Sequence, residues 1–513
     1  MEQYDYIVVG AGTAGCVLAA RLSQNPAARV LLLEAGGSAR THGMTVPNAW
    51  PENLGSPAEW GFVTTSQADS GAVSYPVGKA LGGGSSINAM AHVRAHEALY
   101  DRWAAEGASG WGAKDLRKFF QRTEAVQGHD PELRGTSGPI RLSQAADPHP
   151  AARAFYEALV QAGHPRTDDL SGASQEGVAW VDLAIADGER VSAADAYLRP
   201  VLDRENLTVR ADCLVTGLRL DRDRCTGVRY RPGGGPGGGP GGGPAEAEAA
   251  ASSEVILCAG AIGSPKLLLL SGLGPAGQLR TLGIDPVADL PQVGENLQDH
   301  PIVLTVLVAP DKLPASKYNH GEAYAALRSE LAGDYPDLHL FPILLPLVPP
   351  GVQAPGSGFT IAASVMAPDG RGSVRLASTD PEAAPLIDPA FLADPRDLAR
   401  MMTAVKLARA TAADPHFDAV RQAELCPGPD CTTDADLRAY VRRSLMGYYH
   451  PAGTCRLGSD PDAVVDTKLR VRGVRGLRVA DASVMPVITN AHPNATVLAI
   501  AERAAGLISG QSE

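Results

Sequence analysis

The sequence predicts an α/β fold (α+β overall) in two parts: one built on a βαβ unit, and a second, sheet-plus-helices domain. Three observations carry this. The first 36 residues read as strand, glycine turn, helix and strand. Glycine-rich motifs return at 78–88, at 260–274 and through the tail from 447 to 509. From about 301 to 440 those motifs stop, and strand-like alternation mixes with a helical pattern. At about 150 residues per domain, 513 residues suit two to four domains.

Residues 6–9 are a short apolar run closed by Gly10, the first strand. Residues 13–24 carry Val17, Leu18 and Leu22 with small alanines at helical spacing, and 30–33 are a fully apolar run of the kind buried in a parallel sheet. Residues 40–110 read as loops, and helices are expected at 113–124 and 151–162. Strand-like alternation fills 207–230, through Leu207, Val209, Leu214, Val215 and Leu218. The Pro-Gly-Gly-Gly repeats of 232–244 and the Ala/Glu/Ser run of 245–252 bury too little apolar area to offset their ordering entropy. Because a strand resumes at 254–257, the insert 232–252 is expected to be a flexible hairpin tip within one domain. Further strands are expected at 360–365 and 372–376, and helices at 395–412 and 495–508.

Hydrophobic residues make up 44% and charged residues 20%, a globular balance that excludes disordered, collagenous and coiled-coil classes. A net charge of −12 provides no basic field for nucleic acid or anionic lipid. No signal-peptide pattern precedes the first strand, and no apolar run reaches 18 residues. The most apolar stretch, 338–348, contains Pro342 and Pro346, so no membrane span is expected and a cytoplasmic protein is. The seven cysteines form no metal-like CxxC array, so no metal is expected. Cys426 and Cys431 are close enough to bridge, but two loop thiols are the expectation in a reducing compartment.

Gly10-Ala11-Gly12-Thr13-Ala14-Gly15 follows a strand and opens a helix, and Glu34 closes the next strand. This is a Rossmann-like dinucleotide fingerprint. Gly10 suits the tight turn, Gly12 lets backbone approach a pyrophosphate, and Gly15 allows close helix–strand packing. Glu34 would accept from ribose hydroxyls, which disfavours a 2′-phosphate but does not separate FAD from NAD. The second motif, Gly78-Lys79-Ala80-Leu81-Gly82-Gly83-Gly84-Ser85-Ser86-Ile87-Asn88, is a loop free of bulk that can lay backbone N–H groups on a cofactor. The third, 260–274, reads as glycine turn, helix and glycine stop, a packing unit. The fourth is a pair, His450-Pro451-Ala452-Gly453 and His492-Pro493-Asn494-Ala495-Thr496, each with a histidine before proline. These two are acid–base candidates. The other ten histidines are read as ordinary surface or core residues.

Together these blocks resemble the glucose–methanol–choline (GMC) oxidoreductases, a family of FAD enzymes. The resemblance runs from about 4 to 508, apart from the glycine–proline tract. Residues 78–101 look like the family's first signature, with His92 where an aromatic or alanine is usual, and 260–274 fit the second throughout. Val293-Gly294-Glu295-Asn296-Leu297-Gln298-Asp299-His300 and Gly476-Leu477-Arg478-Val479-Ala480-Asp481-Ala482-Ser483 are further blocks of that kind. The resemblance implies a discontinuous FAD-binding domain, 1–150, 195–300 and 447–513, with 151–194 and 301–446 as the substrate domain. It extends the cofactor contacts from Gly10, Gly12, Thr13, Ala14, Gly15 and Glu34 to Gly78, Leu81, Gly83, Gly84, Ser85, Asn88 and Ala89. It adds Val215 and Ala259, and near the C-terminus Asp481, Ala482, His492, Pro493, Asn494 and Thr496. Some choline-oxidising members attach FAD through a histidine of the first signature. The matching position here is Ile87, which has no nucleophile, so non-covalent FAD is expected.

The activity implied is oxidation of an alcohol, expected to be primary, to the aldehyde. Hydride would pass to flavin N5 while a base takes the hydroxyl proton, and electrons would then go to dioxygen or a quinone-like acceptor. His450 matches the family's catalytic histidine and His492 its second active-site position. Tyr448 and Tyr449, beside His450, are expected to line the substrate pocket, and Asn494 to cap the last helix. No aromatic pair in 301–440 stands out as a cage for a quaternary ammonium, which favours a neutral alcohol. A non-redox lyase acting on a cyanohydrin, a flavin photodecarboxylase and an inactive scaffold are the competing readings. Retention of both histidines weighs against the last.

Overall fold

The structure, a computed structural model, describes residues 1–67, 69–233 and 246–510. The N-terminal unit forms β1 (Glu2–Val9), α1 (Thr13–Leu22) and β2 (Val30–Leu33). A hairpin, β3 (Phe62–Gln67) and β4 (Gly71–Tyr75), and the helices α2 (Glu97–Ala105), α3 (Ala113–Thr123) and α4 (Pro150–Gln161) follow. Next come β5 (Gly177–Trp180), β6 (Leu207–Arg210), β7 (Cys213–Asp221), β8 (Arg224–Pro232), β9 (Ala247–Leu257) and α5 (Gly260–Leu270). The second half supplies β10 (Pro301–Val308), β11 (Ala323–Leu327), β12 (Leu338–Ile343), β13 (Gly358–Val365), α6 (Pro395–Ala413) and β14 (Ala423–Cys426). The tail adds β15 (Leu477–Val479) and α7 (Asn494–Ser509).

Two large sheets organise these elements. The first runs β6-β2-β1-β9-β8-β7, with β15 beside β9. Its centre is parallel: β1 pairs with both β2 and β9, and β6 with β2. All four residues of β2 are buried, as a strand covered on both faces requires. The turn into α1 demands glycine at one point above all, since a Cβ on Gly15 would stand 1.8 Å from the Gly10 carbonyl oxygen. The second sheet, β14-β10-β13-β12-β11-β5, is antiparallel from β14 through β11 to β5, and α4 and α6 pack on it. Phe62 and Tyr75 of the β3–β4 hairpin join the core of this second sheet.

The structure corrects three expectations. The strand after the glycine–proline tract begins at Ala247, so 247–252, expected within the flexible insert, belong to β9. Ala249 and Ala251 are buried there, and the strand gains partners on both sides, Gly227–Tyr230 of β8 and Glu2–Tyr4 of β1. Tertiary pairing overrides a composition that looks unstructured. The expected hairpin tip, centred on 234–245, lies outside the described residues. Second, α2 sits in a stretch read as loops. It buries Leu99, Tyr100 and Trp103, but it starts from His96, whose Nδ1 accepts the Ala98 N–H, instead of from a common N-cap residue. Third, Cys426 lies in a strand and not a loop; it and Cys431 are buried free thiols. Among the described residues no helix is long and apolar enough to cross a membrane.

The register of β9 makes a testable statement. Replacing residues 233–250 by a short turn removes Ala247–Ala250, which pair with β8 and in part with β1. At about 1 kcal/mol net per backbone hydrogen bond, the loss should reach roughly 3–5 kcal/mol. A thermal melt of the excised protein that matches the parent would contradict this register.

Candidate active site

A cavity of about 410 Å³ opens where the carboxyl ends of β1 and β2 meet the second sheet. Doubly wound folds bind ligands at such strand ends, and the volume is that of a small-molecule site. Its lining includes Glu34, then Gly10, Gly12, Thr13 and Ala14 of the first glycine turn. Gly78, Gly83, Gly84, Asn88 and Ala89 of the second motif line it too, with Val215, Ala259, Asp481, Ala482, Pro493 and Asn494. His450, His492, Tyr448 and Tyr449 face the same cavity. Residues far apart in sequence thus converge on one space.

Four expected cofactor contacts do not line it. Gly15 is taken up by helix–strand packing, as its close approach to Gly10 requires. Leu81 is buried, and its N–H donates to the Gly37 carbonyl. Ser85 Oγ donates to the Gly82 carbonyl (2.6 Å) and accepts the Ala193 N–H (3.0 Å). Thr496 Oγ1 is bonded to the Tyr100 hydroxyl (2.7 Å). The two hydroxyls are thus spent on neighbours outside the lining. Asn494 is not a cap either. Pro493 holds the N-cap position, and Asn494 Oδ1 accepts from Thr13 Oγ1 (2.8 Å), which ties the start of α7 to that of α1.

The residues present fit a dinucleotide. Neither α1 nor α7 has a side-chain cap, so their first N–H groups remain available to an anionic or carbonyl ligand. The two glycine loops meet backbone to backbone: a Cβ on Gly83 (φ +52°) would stand 2.7 Å from Gly12 Cα. Glu34 Oε2 accepts the Ala11 N–H and Oε1 the Gly36 N–H, both at 2.8 Å. Each oxygen keeps a further lone pair for a ribose hydroxyl. Burial pushes the Glu34 carboxyl up to about 7 against these donors. His492 Nδ1 is a buried nitrogen without a hydrogen-bond partner among the described residues, as expected of a group that awaits a ligand.

At the histidine end, the His450 and His492 rings stand edge to face with centroids 5.3 Å apart. Two histidines read as ordinary core residues join them. His300 Nδ1 lies 2.9 Å from His450 Nδ1, and the His339 ring is 5.6 Å from that of His492. The Tyr448 hydroxyl is 3.1 Å from His492 Nε2, and its ring stacks on His450 at 4.3 Å. Burial, aided by neighbouring imidazoles, pushes His450 and His339 well below the ordinary histidine range. Burial takes His300 to about 3 and His492 to about 4. All four are therefore neutral near pH 7. Burial also lifts the Tyr449 hydroxyl to about 12, so this residue, at φ +64°, enters the cavity wall as a neutral phenol.

The second sheet adds an aromatic wall that the sequence reading missed. Tyr324 of β11 lies on His339 of β12 (3.5 Å, 23°), His339 on Phe341 (4.6 Å, 22°), and Phe341 on Tyr448 (5.0 Å, 2°). His92, the departure from the first signature, lies outside the cavity lining. It is buried with Nε2 3.3 Å from Glu124 Oε2. Among the described residues one group has metal-ligand spacing, His129, Asp169 and Asp182. Arg134 already bonds both carboxylates, at 2.5 and 2.9 Å.

Comparison with known proteins gives the family. Family models for the N- and C-terminal parts of the GMC oxidoreductases match residues 4–302 and 368–501. Human mitochondrial choline dehydrogenase is 38% identical over 99% of this chain and 90% of its own length. An alcohol dehydrogenase [acceptor] of Pseudomonas putida is 36% identical over 98% of this chain and 95% of its own. The crystal structure of pyridoxine 4-oxidase from Mesorbium loti superposes with a TM-score of 0.93 at 35% identity, covering 99% of this chain and all of the other.

Two outcomes test the site. Glu34→Ala should weaken dinucleotide binding by roughly 1.5–3 kcal/mol, the scale of a hydrogen bond to a charged group. A variant that keeps its full flavin on dilution would refute the ribose assignment. The second concerns acid. An unfolded His492 takes up a proton below about pH 6.5, whereas the folded one resists until about 4. This stability is complete above pH 6.5 and is lost as pH falls towards 4. His492→Asn should therefore show a shallower fall in melting temperature across that window. An unchanged slope would show that His492 is protonated in the folded protein.

Proposed function

The chain belongs to the GMC oxidoreductase family, and on that premise we propose that it oxidises a primary alcohol to the aldehyde with non-covalent FAD, His450 acting as general base. The observation that carries this is the His450–His492 pair in the same cavity as the dinucleotide fingerprint. FAD, when bound, supplies the hydride acceptor. The uncapped starts of α1 and α7, with Glu34, hold it; Ile87 lines the cavity where some members bear an attachment histidine. Neutral His450 offers a lone pair to the alcohol hydroxyl, and hydride leaves the carbinol carbon more readily as that proton departs. His492 holds the same oxygen, oriented by the Tyr448 hydroxyl. The surrounding aromatic and aliphatic side chains exclude water.

We further assign the substrate as neutral with a flat apolar body. Among the described lining residues the carboxylates are Glu34, which sits at the dinucleotide fingerprint and is assigned above to the ribose, and Asp481, which is occupied by its neighbours. Glu34 is held by two N–H groups; Asp481 accepts from Gly260 N–H, Ser264 Oγ and Ser483 N–H. In the stack of Tyr324, His339, Phe341 and Tyr448 the rings turn their faces to one another, which withholds those faces from a quaternary ammonium. Choline, named in the curated relatives, is thus a poorer fit than an aryl or allylic alcohol.

An anaerobic panel read in the dark by bleaching of the flavin tests this. Aryl and allylic primary alcohols should bleach it and choline should not. Bleaching by no alcohol would favour a lyase or photochemical reading. Denaturation should release all flavin; a flavin-bearing peptide in mass spectrometry would overturn non-covalent binding. His450→Ala should slow flavin reduction by about 10²–10⁴-fold, the usual worth of a general base, and His492→Asn by less. Reduction of His450→Ala at the parent rate would require another base. The ratio of peroxide formed to dye reduced decides between dioxygen and a quinone-like acceptor.

A further inference from the structure

We infer that His300 is a positioning residue which holds His450 in its Nδ1–H tautomer, leaving His450 Nε2 bare to receive the substrate proton. The inference rests on the role proposed above for His450. Its geometric basis is the 2.9 Å contact between the two Nδ1 atoms, with the rings nearly perpendicular at 86°. Two neutral imidazoles at that distance share one proton: one ring donates Nδ1–H and the other accepts it. If His300 donated, His450 would carry its hydrogen on Nε2 and could take no proton there.

The surroundings of His300 decide the direction. Its ring is wholly buried, and Nε2 has no hydrogen-bond partner among the described residues. The backbone carbonyls of Thr489 and Met366, which only accept, act on the His300 ring. With Nδ1 turned to His450, the nitrogen left to carry a hydrogen among these acceptors is Nε2, which gives His300 Nδ1 the lone pair and makes His450 the donor. The backbone enforces this pairing. Asp299 Oδ1 accepts N–H from both His300 (2.7 Å) and His450 (2.8 Å), and the Tyr448 N–H donates to the His300 carbonyl (2.9 Å). His300 need not touch the alcohol; it acts through His450, as the orienting carboxylate does in serine hydrolases.

The test compares His300→Leu, which removes the acceptor, with His300→Asn, whose amide oxygen can take the place of Nδ1. The limiting rate of anaerobic flavin reduction should fall about 10²-fold in His300→Leu, with the half-saturating alcohol concentration little changed, and recover largely in His300→Asn. Equal impairment of both, or parent rates in His300→Leu, would overturn the inference. A second readout needs no turnover and no variant that folds poorly. In flavin-loaded protein with nitrogen-15 histidine, His450, identified by loss of its signals in His450→Gln, should show a protonated Nδ1 and a bare Nε2. The reverse pattern overturns the inference whether or not an alcohol is ever found. Failure of the wild-type flavin to bleach with any alcohol would instead count against the oxidation reading.

Discussion

One buried carboxylate keeps the two halves of the site in register. Asp299 stands just before β10 of the second sheet, while His450 lies in the tail that returns to the first sheet. Its Oδ1 accepts an N–H from each side of that junction. The flanking backbone continues the tie. Gln298 and Ala452 exchange N–H···O bonds at 3.0 and 2.9 Å, and Met446 and Gly447 pair with β10. Removing a carboxylate from water is costly unless donors replace the water. At 2% exposure, with burial pushing it up to about 7, Asp299 depends on those N–H groups. The tail is therefore laid along β10 as an added strand, and the position of His450 follows from it.

The same burial governs the electrostatics. A histidine open to water would be part-charged near neutral pH; four packed together without a carboxylate on their rings stay neutral. A neutral imidazole is the form that can accept a proton. An imidazolium created on His450 would meet three uncharged rings and, among the described residues, no carboxylate within hydrogen-bond reach of its own ring. On the role proposed for His450, the proton it gains would be held weakly, which suits a base that must be restored each cycle. Strong affinity for protons would have filled the site before substrate arrived.

What could be read from the sequence follows from how local each constraint is. The glycine turns were legible because a turn between strand and helix, with a backbone approach such as Gly15 to Gly10, imposes residue types within a dozen positions. His450 and His492 stood out by their setting before prolines and by the family blocks around them. His300 and His339 did not. His300 lay within the quoted block ending in Asp299-His300, but its partner is 150 residues away. His339 sits in an apolar run that reads as core, and it is core, with its ring turned to a stack. Thr496, Ser85 and Leu81 fall in motifs that contact the cavity yet do not line it: the two hydroxyls are bonded to neighbours, and Leu81 is buried. Motif membership identifies the loop, whereas the direction of a side chain depends on packing that the motif does not encode.

The division of labour between the sheets has a further consequence. The proton-handling groups sit on tail segments bound to both sheets, whereas the aromatic wall comes from alternate positions on two strands of the second. His339 and Phe341 are two apart on β12 and so share a face. Ala326 of β11 pairs with His339, and Tyr324, two residues before Ala326, falls on that face as well. A change at any of these positions reshapes the wall while the hydrogen bonds of the sheet stay in place. Asp299, His300 and His450 lack this freedom, since each is held by bonds to the others. A fold built this way can alter which alcohol it admits by substituting side chains on one sheet face, without rebuilding the base.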